Sequence, residues 1–408
     1  PMSADRFLRA LLPVLHRLGD GGITIAPGTA MAQRIGQEAR LLPFSVRVLE
    51  SGLYLADELK GFRTFTRGSR IISINGLGAE RIVRELGAWV LCDGANETCR
   101  ARGVEERFAW LFALQYGPCR TYVVEAEEPG LAIREETVPG LSAEEIASSR
   151  KPEGIGLHPW RSAWDEASGA CWLQLTTLDP EALTRSGQSP RSFLRGLLAE
   201  LRQRQPKALV IDVRGAGGRE LGMAELVFSA IARESFRVVQ GVGARATQAG
   251  AMPGLQLPDE HLAAIGRNYL PPKNGLAELR PDDPRLLPVS PMKKAFGGPV
   301  YVVCDGATRD AAAALAMLCK RTGRARLVGE ELGTNAHAFT GGRQASVLLP
   351  NSGIVVRIPL LRYLPEGATD APPDRGEQPH HRVEQQPSGL AHGRDTVRAA
   401  LLELIRER

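Results

Sequence analysis

The front part of the chain switches between a helical and an extended hydrophobic pattern. Apolar residues recur three and four positions apart over residues 4–18, which predicts a helix that ends at the glycine-rich turn 19–22. From residue 42 to residue 86, short runs of alternating apolar and polar residues precede a helical pattern at 79–86. These runs predict strands at 44–48, 53–55 and 70–76. This part of the chain therefore predicts a small module of strands and one helix.

Beyond residue 160, short apolar runs alternate with longer helical patterns. Strands are predicted at 171–177, 208–213, 300–304 and 326–328, and helices at 192–204, 223–233 and 311–321. Alternation of this kind is typical of a layered α/β sheet.

Two polar regions interrupt these patterns. A helix at 105–115 and a strand at 121–125 precede the polar stretch 142–156, where we expect the main domain boundary. Residues 251–292 hold many of the 28 prolines and show little periodicity. They predict a long irregular insertion that is able to cover a cleft.

Composition excludes several classes of protein. The 408 residues are 43% hydrophobic and 24% charged, which predicts a globular chain of two or three domains. The 51 basic and 46 acidic residues are spread along the chain, so no nucleic-acid partner is predicted. No run of about 18 apolar residues occurs, so no membrane span is predicted. The six cysteines lack the spacing of zinc ligands, and neither a metal nor another cofactor is predicted.

Two cysteines leave an alternative open. Cys92 and Cys99 flank the loop 93–98, and they are either reduced thiols or a disulfide, which would need an oxidising compartment. The first residues show no charged segment followed by an apolar one. We therefore expect a cytoplasmic protein, or a periplasmic or secreted one if a signal peptide had been removed.

A glycine-rich turn follows the apolar strand predicted at 208–213. The segment 209–218 reads LVIDVRGAGG, and the small residues of its turn let backbone N–H groups converge on one point. Gly215, Gly217 and Gly218 are therefore candidate donors of an oxyanion site.

Further segments, in order along the chain, resemble the motifs of a known enzyme family. They are PVYVVCDGAT at 299–308, VGEE at 328–331, LPNSGI at 349–354 and RIP at 357–359. Together with LVIDVRGAGG, and with LGDG at 18–21, they resemble the tail-specific, or C-terminal processing, serine peptidases of the tricorn-core type. Similar segments at 72–76 and 92–96 extend the resemblance over nearly the whole chain.

The resemblance implies an α/β fold: a crotonase- and Clp-protease-like layered sheet domain with an N-terminal helical segment and a PDZ-like module. On this sequence the helical segment would span 1–41, the PDZ-like module 42–95 and a connecting segment 96–160. The peptidase-like core would span 161–408, with the insertion at about 251–292.

The chain departs from the family at the positions that carry peptidase chemistry. The family's nucleophilic serine corresponds to Asp310, within the string TRDAA at 308–312. The general-base histidine of the family's GDGHT turn corresponds to Gly22, and no lysine follows the turn at 328–331. Serine attack needs a hydroxyl and a base within hydrogen-bond reach. Ordinary serine proteolysis is therefore not expected.

Three side chains are candidates for a different chemistry, and each has a structural alternative. Asp310 either acts as acid, base or nucleophile beneath the oxyanion turn, together with the N–H of Ala311, or caps the helix at 311–321. Glu330 is either a second carboxylate beside Asp310 or a loop acid paired with an arginine. His337 either titrates near neutral pH at the site or is incidental there.

The leading hypothesis is a repurposed enzyme: a non-peptidase hydrolase, lyase or isomerase. In it Asp310, helped by Glu330 or His337, acts on a carbonyl-containing small molecule or a peptide-like substrate. One alternative is a noncatalytic pseudopeptidase that binds a peptide tail or an apolar ligand. The other is an unorthodox peptidase. No oligomeric state is predicted.

Overall fold

The computed structural model describes residues 2–38, 40–59, 62–149, 158–245 and 254–407. The elements of the front part are α1 (Ala4–His16), β1 (Thr24–Ala26), α2 (Thr29–Glu38), β2 (Phe44–Leu49), β3 (Gly52–Glu58), β4 (Arg70–Ile74), β5 (Leu77–Gly78), α3 (Ala79–Gly87), α4 (Glu97–Tyr116), β6 (Thr121–Glu127), β7 (Ile133–Pro139) and α5 (Ala143–Ser149).

The elements of the larger, second part follow residue 157. They are β8 (Trp160–Asp165), β9 (Ala170–Leu175), α6 (Pro180–Arg185), α7 (Pro190–Arg204), β10 (Ala208–Asp212), α8 (Gly222–Ser229), β11 (Val239–Arg245), β12 (Leu255–Gln256), α9 (Asp259–Asn268), β13 (Leu276–Glu278), a short 3-10 helix (Pro284–Leu286), β14 (Val300–Cys304), α10 (Asp310–Arg321), β15 (Arg326–Gly329), β16 (Phe339–Leu349), β17 (Ile354–Pro365), β18 (His381–Arg382), α11 (Pro387–Ala391) and α12 (Thr396–Arg406).

The front part is built on an antiparallel sheet in the order β2-β3-β4-β6-β7, with β5 added to β4. In β6 the buried side chains are Tyr122, Val124 and Ala126, as expected when one face of a strand meets the core. β6 and β7 belong to this sheet because β6 pairs with β4. From the sequence, their residues are assigned to the connecting segment 96–160. Of the polar stretch at 142–156, residues 143–149 form α5 and 150–156 lie outside the described residues.

The second part is built on a sheet in the order β18-β15-β14-β10-β9-β8. Its first five strands are parallel, and β8 pairs with β9 in the antiparallel direction. Every residue of β10 and β14 is buried, because α7, α8 and α10 cover one face of the sheet and α12 covers the other. Strands covered on both faces read as continuous apolar runs. The layered α/β core that the sequence predicts is confirmed.

A third sheet is centred on the long hairpin β16–β17 and joins the two parts. Its order is β12-β16-β17-β11-β13, and β1 of the front part pairs with β17. The segment 251–292, predicted to be irregular, supplies β12, β13 and α9, while residues 251–253 lie outside the described residues. Regular elements thus occur within this segment, and β12 and β13 form because they find partners in β16 and β11, which are distant in sequence.

The carboxyl ends of β10 and β14 lie side by side, since these two strands are parallel neighbours. The glycine turn after β10 and the turn before α10 therefore meet at one edge of the sheet, where open α/β sheets commonly bind ligands. In α10, residues 311–319 are all buried, so the start of this helix is fixed against the core.

Candidate active site

Asp310 begins α10 with a strained backbone. Its φ of +52° lies in the left-handed region, which residues other than glycine rarely adopt. The N-cap of α10 is the preceding residue, Arg309, whose side chain makes no capping hydrogen bond. Asp310 therefore does not cap α10, and the capping alternative is wrong.

Backbone contacts on both sides hold Asp310 in this conformation. Its own N–H donates to Thr334 Oγ1 at 2.9 Å, in the loop after β15. The N–H of Ala311 donates to the carbonyl of Gly218 at 3.0 Å, in the turn after β10. Asp310 is thus clamped between two loops of the core.

The carboxyl group of Asp310 lies beside the glycine turn. A Cβ atom added to Gly217 would lie 3.8 Å from Asp310 Oδ2. None of the described residues donates a hydrogen bond to this carboxyl. Burial raises the pKa of Asp310 above its usual range, while the charges of Arg309 and Arg219 act in the opposite direction. An acid perturbed in this way is a candidate for proton transfer.

The predicted oxyanion donors divide into two groups. Gly215 donates its N–H to Asp305 Oδ1 at 3.0 Å, and the N–H of Ala311 is bonded to Gly218. The N–H groups of Gly215 and Ala311 are therefore already occupied within the protein, contrary to their expected role. The N–H groups of Gly217 and Gly218 have no acceptor in the described part of the chain. Of the predicted oxyanion donors, only these two remain free.

A second acid, Asp93, approaches the site from the front part, and sequence reasoning missed it. Its side chain is 8% exposed. Oδ1 accepts from Gly21 N at 2.7 Å and Oδ2 from Asn335 N at 2.9 Å. Since Thr334, the residue before Asn335, binds the backbone of Asp310, consecutive residues of one loop hold the two acids.

The pKa of Asp93 responds to its burial and, more weakly, to nearby charges. Desolvation raises the pKa of Asp93 to about 6; the charges of Asp20 and Asp310 act in the same direction, and the two backbone N–H groups oppose them. With its pKa raised in this way, Asp93 can hold a proton in weakly acidic solution, where an ordinary aspartate is ionised.

The place of the family's base histidine is filled by another side chain. Gly22 donates its N–H to Asp20 Oδ1 at 2.9 Å, and the hydroxyl of Thr340 donates to the same oxygen. A Cβ atom added to Gly22 would lie 2.5 Å from Thr340 Oγ1 and 3.1 Å from Pro359 Cγ. No side chain fits at position 22 unless Thr340 moves.

Glu330 lies in a buried ion-pair network. Its Oε2 is 3.2 Å from Arg102 Nε and accepts a hydrogen bond from Gly306 N at 3.3 Å. Arg102 also pairs with Glu105, which belongs to the same helix, α4. These contacts correspond to the arginine-paired alternative, and they tie α4 to the core rather than placing Glu330 against Asp310.

His337 lies at the surface, two residues after the Asn335 that binds Asp93. Its side chain is exposed, and Nε2 is 2.7 Å from the carbonyl oxygen of Ala371. Among the described contacts of His337, none involves Asp310. The structure therefore does not bring the predicted trio of Asp310, Glu330 and His337 together.

The loop that carries Asp93 is closed by a disulfide between Cys92 and Cys99, the second of the two alternatives. Within it, Asn96 accepts from Cys99 N at 2.9 Å and donates to the carbonyl of Leu332 at 2.6 Å. These bonds fix the loop to the core and thereby fix Asp93.

A separate cavity of about 910 Å³ lies between the front part and the core. Its walls come from α3, the β2–β3 hairpin and the start of α4, with Arg100, Glu331 and Arg375 among its polar lining residues. Asp310 is not among the lining residues, so the cavity and the acid pair are two distinct places.

The described part of the chain contains no cluster of three or more histidine, cysteine, aspartate or glutamate residues able to hold a metal ion. None of the described helices combines the length and the apolar character that crossing a membrane requires.

Comparison with known proteins places the chain in a family. The family model of Peptidase family S41 matches residues 175–383, just over half of the chain. The chain belongs to this family. The matched residues include the glycine turn, Asp310 and Glu330. No match was found among curated proteins.

Solved structures extend the likeness to nearly the full chain. Mature CPAF is 15% identical, with a TM-score of 0.62, and the match covers 98% of this chain and 86% of CPAF. A CPAF mutant is 13% identical, with a TM-score of 0.68, and the match covers 98% and 87%. The photosystem II D1 C-terminal processing protease is 14% identical, with a TM-score of 0.40 and coverage of 95% and 86%. At these identities the CPAF likeness establishes the fold.

Proposed function

We propose that this chain is a repurposed member of family S41 in which Asp310 performs acid–base or carboxylate chemistry on a carbonyl-containing small molecule or peptide-like substrate. The observation that carries the proposal is the left-handed backbone of Asp310 at the start of α10. Strained residues persist where the surrounding structure holds them, and they cluster at functional sites. A sharp strand-to-helix turn of this kind exposes a reactive side chain in other hydrolases.

The environment of the side chain supports the same function. Asp310 is half-buried at the edge of the sheet beside Gly217, and no described residue donates a hydrogen bond to its carboxyl. Its carboxyl oxygens are not among the buried atoms that lack a partner, so they are open to solvent. The free carboxyl is therefore available to a ligand.

Asp93 supplies the second group that acid–base chemistry needs. With one member of the pair ionised and the other protonated, the carboxylate removes a proton from water or from a substrate carbon. The carboxylic acid donates its proton to the carbonyl oxygen. Attack of the activated water on the carbonyl carbon would give hydrolysis, and removal of the carbon-bound proton would give isomerisation or elimination.

The cavity between the front part and the core favours a second candidate, a noncatalytic binder. Its volume of about 910 Å³ is in the range of ligand sites, and its lining mixes apolar and charged residues. In that case the ligand would occupy the cavity, and Asp310 would be dispensable for binding.

Turnover assays with Asp310→Asn decide between these candidates. The wild type and the variant are incubated with a series of p-nitrophenyl esters, with casein and with a peptide library of varied C-termini. Asparagine keeps the shape and tolerates the left-handed backbone but transfers no proton, so we expect turnover to fall at least about 100-fold. The matched control is Asp259→Asn, an exposed acid of α9, which should leave turnover unchanged.

Each outcome has a distinct meaning. Undiminished turnover by Asp310→Asn would contradict the proposal. Cleavage of casein or peptides by the wild type, lost in Asp310→Asn, would make the protein an unorthodox peptidase with the same essential acid. Absence of turnover, with a ligand bound equally by both proteins, would establish the binder.

A further inference from the structure

We propose that Thr334 is a positioning residue whose hydroxyl group holds the carboxyl of Asp310 toward the glycine turn, and that its loop, residues 332–336, sets the positions of both acids together. The inference rests on the proposed function and assigns it a residue that acts through Asp310. Thr334 lies in the loop after β15 and is only 2% exposed.

Two hydrogen bonds fix the backbone on either side of Asp310. A peptide group is planar, so the φ and ψ of a residue follow from the orientations of the two peptide groups that flank it. The peptide group before Asp310 carries the N–H that donates to Thr334 Oγ1 at 2.9 Å. The peptide group after it carries the N–H of Ala311, which donates to the carbonyl of Gly218 at 3.0 Å. With both groups held, the φ of Asp310 stays at +52°.

Of these two bonds, only the one to Thr334 depends on a side chain. A left-handed backbone is unfavourable for residues other than glycine. Without the Thr334 hydroxyl, the preceding peptide group is free to rotate, and Asp310 can return to a negative φ. The Cα–Cβ bond turns with the backbone, so the carboxyl would leave the position in which Oδ2 lies 3.8 Å from a Cβ atom added to Gly217.

The loop 332–336 is anchored along its length. Three of its N–H groups donate to backbone carbonyls outside the loop: Leu332 to Glu377 at 3.1 Å, Gly333 to Thr308 at 2.9 Å and Ala336 to Arg375 at 3.0 Å. Gly333 lies so close to the turn before α10 that an added Cβ atom would be 2.2 Å from the carbonyl oxygen of Gly306. The loop therefore gives the Thr334 hydroxyl a fixed support.

The same loop holds the second acid. The N–H of Asn335, the residue after Thr334, donates to Asp93 Oδ2 at 2.9 Å. The side-chain amide of Asn335 donates to the carbonyl of Pro373 at 2.7 Å, which fixes residue 335 from another direction. Adjacent residues of one anchored loop thus set where both acids lie.

The test compares Thr334→Val and Thr334→Ser with the wild type on the best substrate of the Asp310 assay. Valine keeps the shape of threonine but accepts no hydrogen bond, so we expect kcat to fall about 100-fold with KM unchanged. Serine keeps the hydroxyl, so its kcat should stay within about threefold of the wild-type value. Thr322→Val is the matched control: it removes a hydroxyl bonded to the carbonyl of Leu318 at the other end of α10, and it should leave kcat unchanged.

Thermal unfolding separates positioning from a structural role. In Thr334→Val the loss of one hydrogen bond is offset by relief of the left-handed backbone, so the thermal midpoint should fall by no more than about 3 °C. A markedly larger fall would show a structural role and overturn the inference. An undiminished kcat in Thr334→Val, with turnover lost in Asp310→Asn, would also overturn it and leave the proposed function intact.

Crystal structures of the same proteins need no substrate. Thr334→Val should show a negative φ at Asp310 and a carboxyl turned away from Gly217, whereas Thr334→Ser should keep the positive φ. A positive φ retained in Thr334→Val would overturn the inference. If the wild type turned over no substrate, the proposed function would fail, and the positioning role of Thr334 would fail with it.

Discussion

Replacing Asp93 with asparagine should remove a loss of stability that the wild-type protein undergoes as the pH rises. Desolvation raises the pKa of this carboxyl from 3.8 to about 6. The fold therefore favours the protonated form, whose contribution is complete below pH 3.8 and is lost as the pH rises through about 6. At about 1.4 kcal/mol per pKa unit, the loss amounts to about 3 kcal/mol by neutral pH.

The variant also loses a contact that does not depend on pH. Asp93 accepts one hydrogen bond from Gly21 and another from Asn335, whereas the asparagine amide has a single oxygen. One of the two N–H groups is left facing an NH₂ group, which lowers stability by about 1–2 kcal/mol. The wild type should therefore be the more stable protein at pH 4, and Asp93→Asn should be more stable by about 1–2 kcal/mol at pH 7.5.

The assay is urea unfolding of both proteins at several pH values between 4 and 7.5. Titrating groups far from the site cancel in the difference between the two free energies of unfolding. Asp259→Asn, which replaces an exposed acid, is the control for the loss of one carboxylate. A pH-independent difference for Asp93→Asn, or one that favours the wild type increasingly as the pH rises, would refute the reasoning.

Two further predictions concern positions where the chain departs from its family or from its predicted site. Gly22→Ala should lower the free energy of unfolding by about 1–3 kcal/mol, because its Cβ meets Thr340 Oγ1, and adding Thr340→Ala should restore most of the loss in thermal unfolding. A neutral Gly22→Ala would show that a side chain fits there. Glu330→Gln removes a buried partner of Arg102 and should lower the free energy of unfolding in urea by about 3–5 kcal/mol. Unchanged stability would contradict the ion-pair role.

The frame of the site could be predicted from local sequence patterns. The continuous apolar runs of β10 and β14 identify strands covered on both faces, and the glycine turn at 215–218 identifies the edge where a ligand site forms. The helical pattern at 311–321 places Asp310 at a helix start. Each of these features depends on residues close together in sequence, which is why their patterns suffice.

The partners of Asp310 could not be predicted in this way. Asp93 is 242 positions from Asn335, whose N–H it binds, and only the arrangement of the front part on the core brings them together. The resemblance at 92–96 marked the segment but assigned Asp93 no role. Glu330 and His337 are closer to Asp310 in sequence, yet an ion pair and a surface loop take them elsewhere.

A sequence also does not show which backbone N–H groups are already bonded within the protein. The turn at 215–218 has the composition of an oxyanion site. Hydrogen bonds from Gly215 to Asp305 and from Ala311 to Gly218 nevertheless use two of the four predicted N–H donors.

The pH dependence of turnover tests the central claim most directly. A pair that needs one protonated and one ionised carboxyl is active only between its two ionisation steps, so kcat/KM of the wild type should pass through a maximum and fall as the pH rises above about 6. Asp310→Asn should abolish this profile together with the activity. A rate that instead climbs steadily to pH 8 or beyond would contradict catalysis by the acid pair.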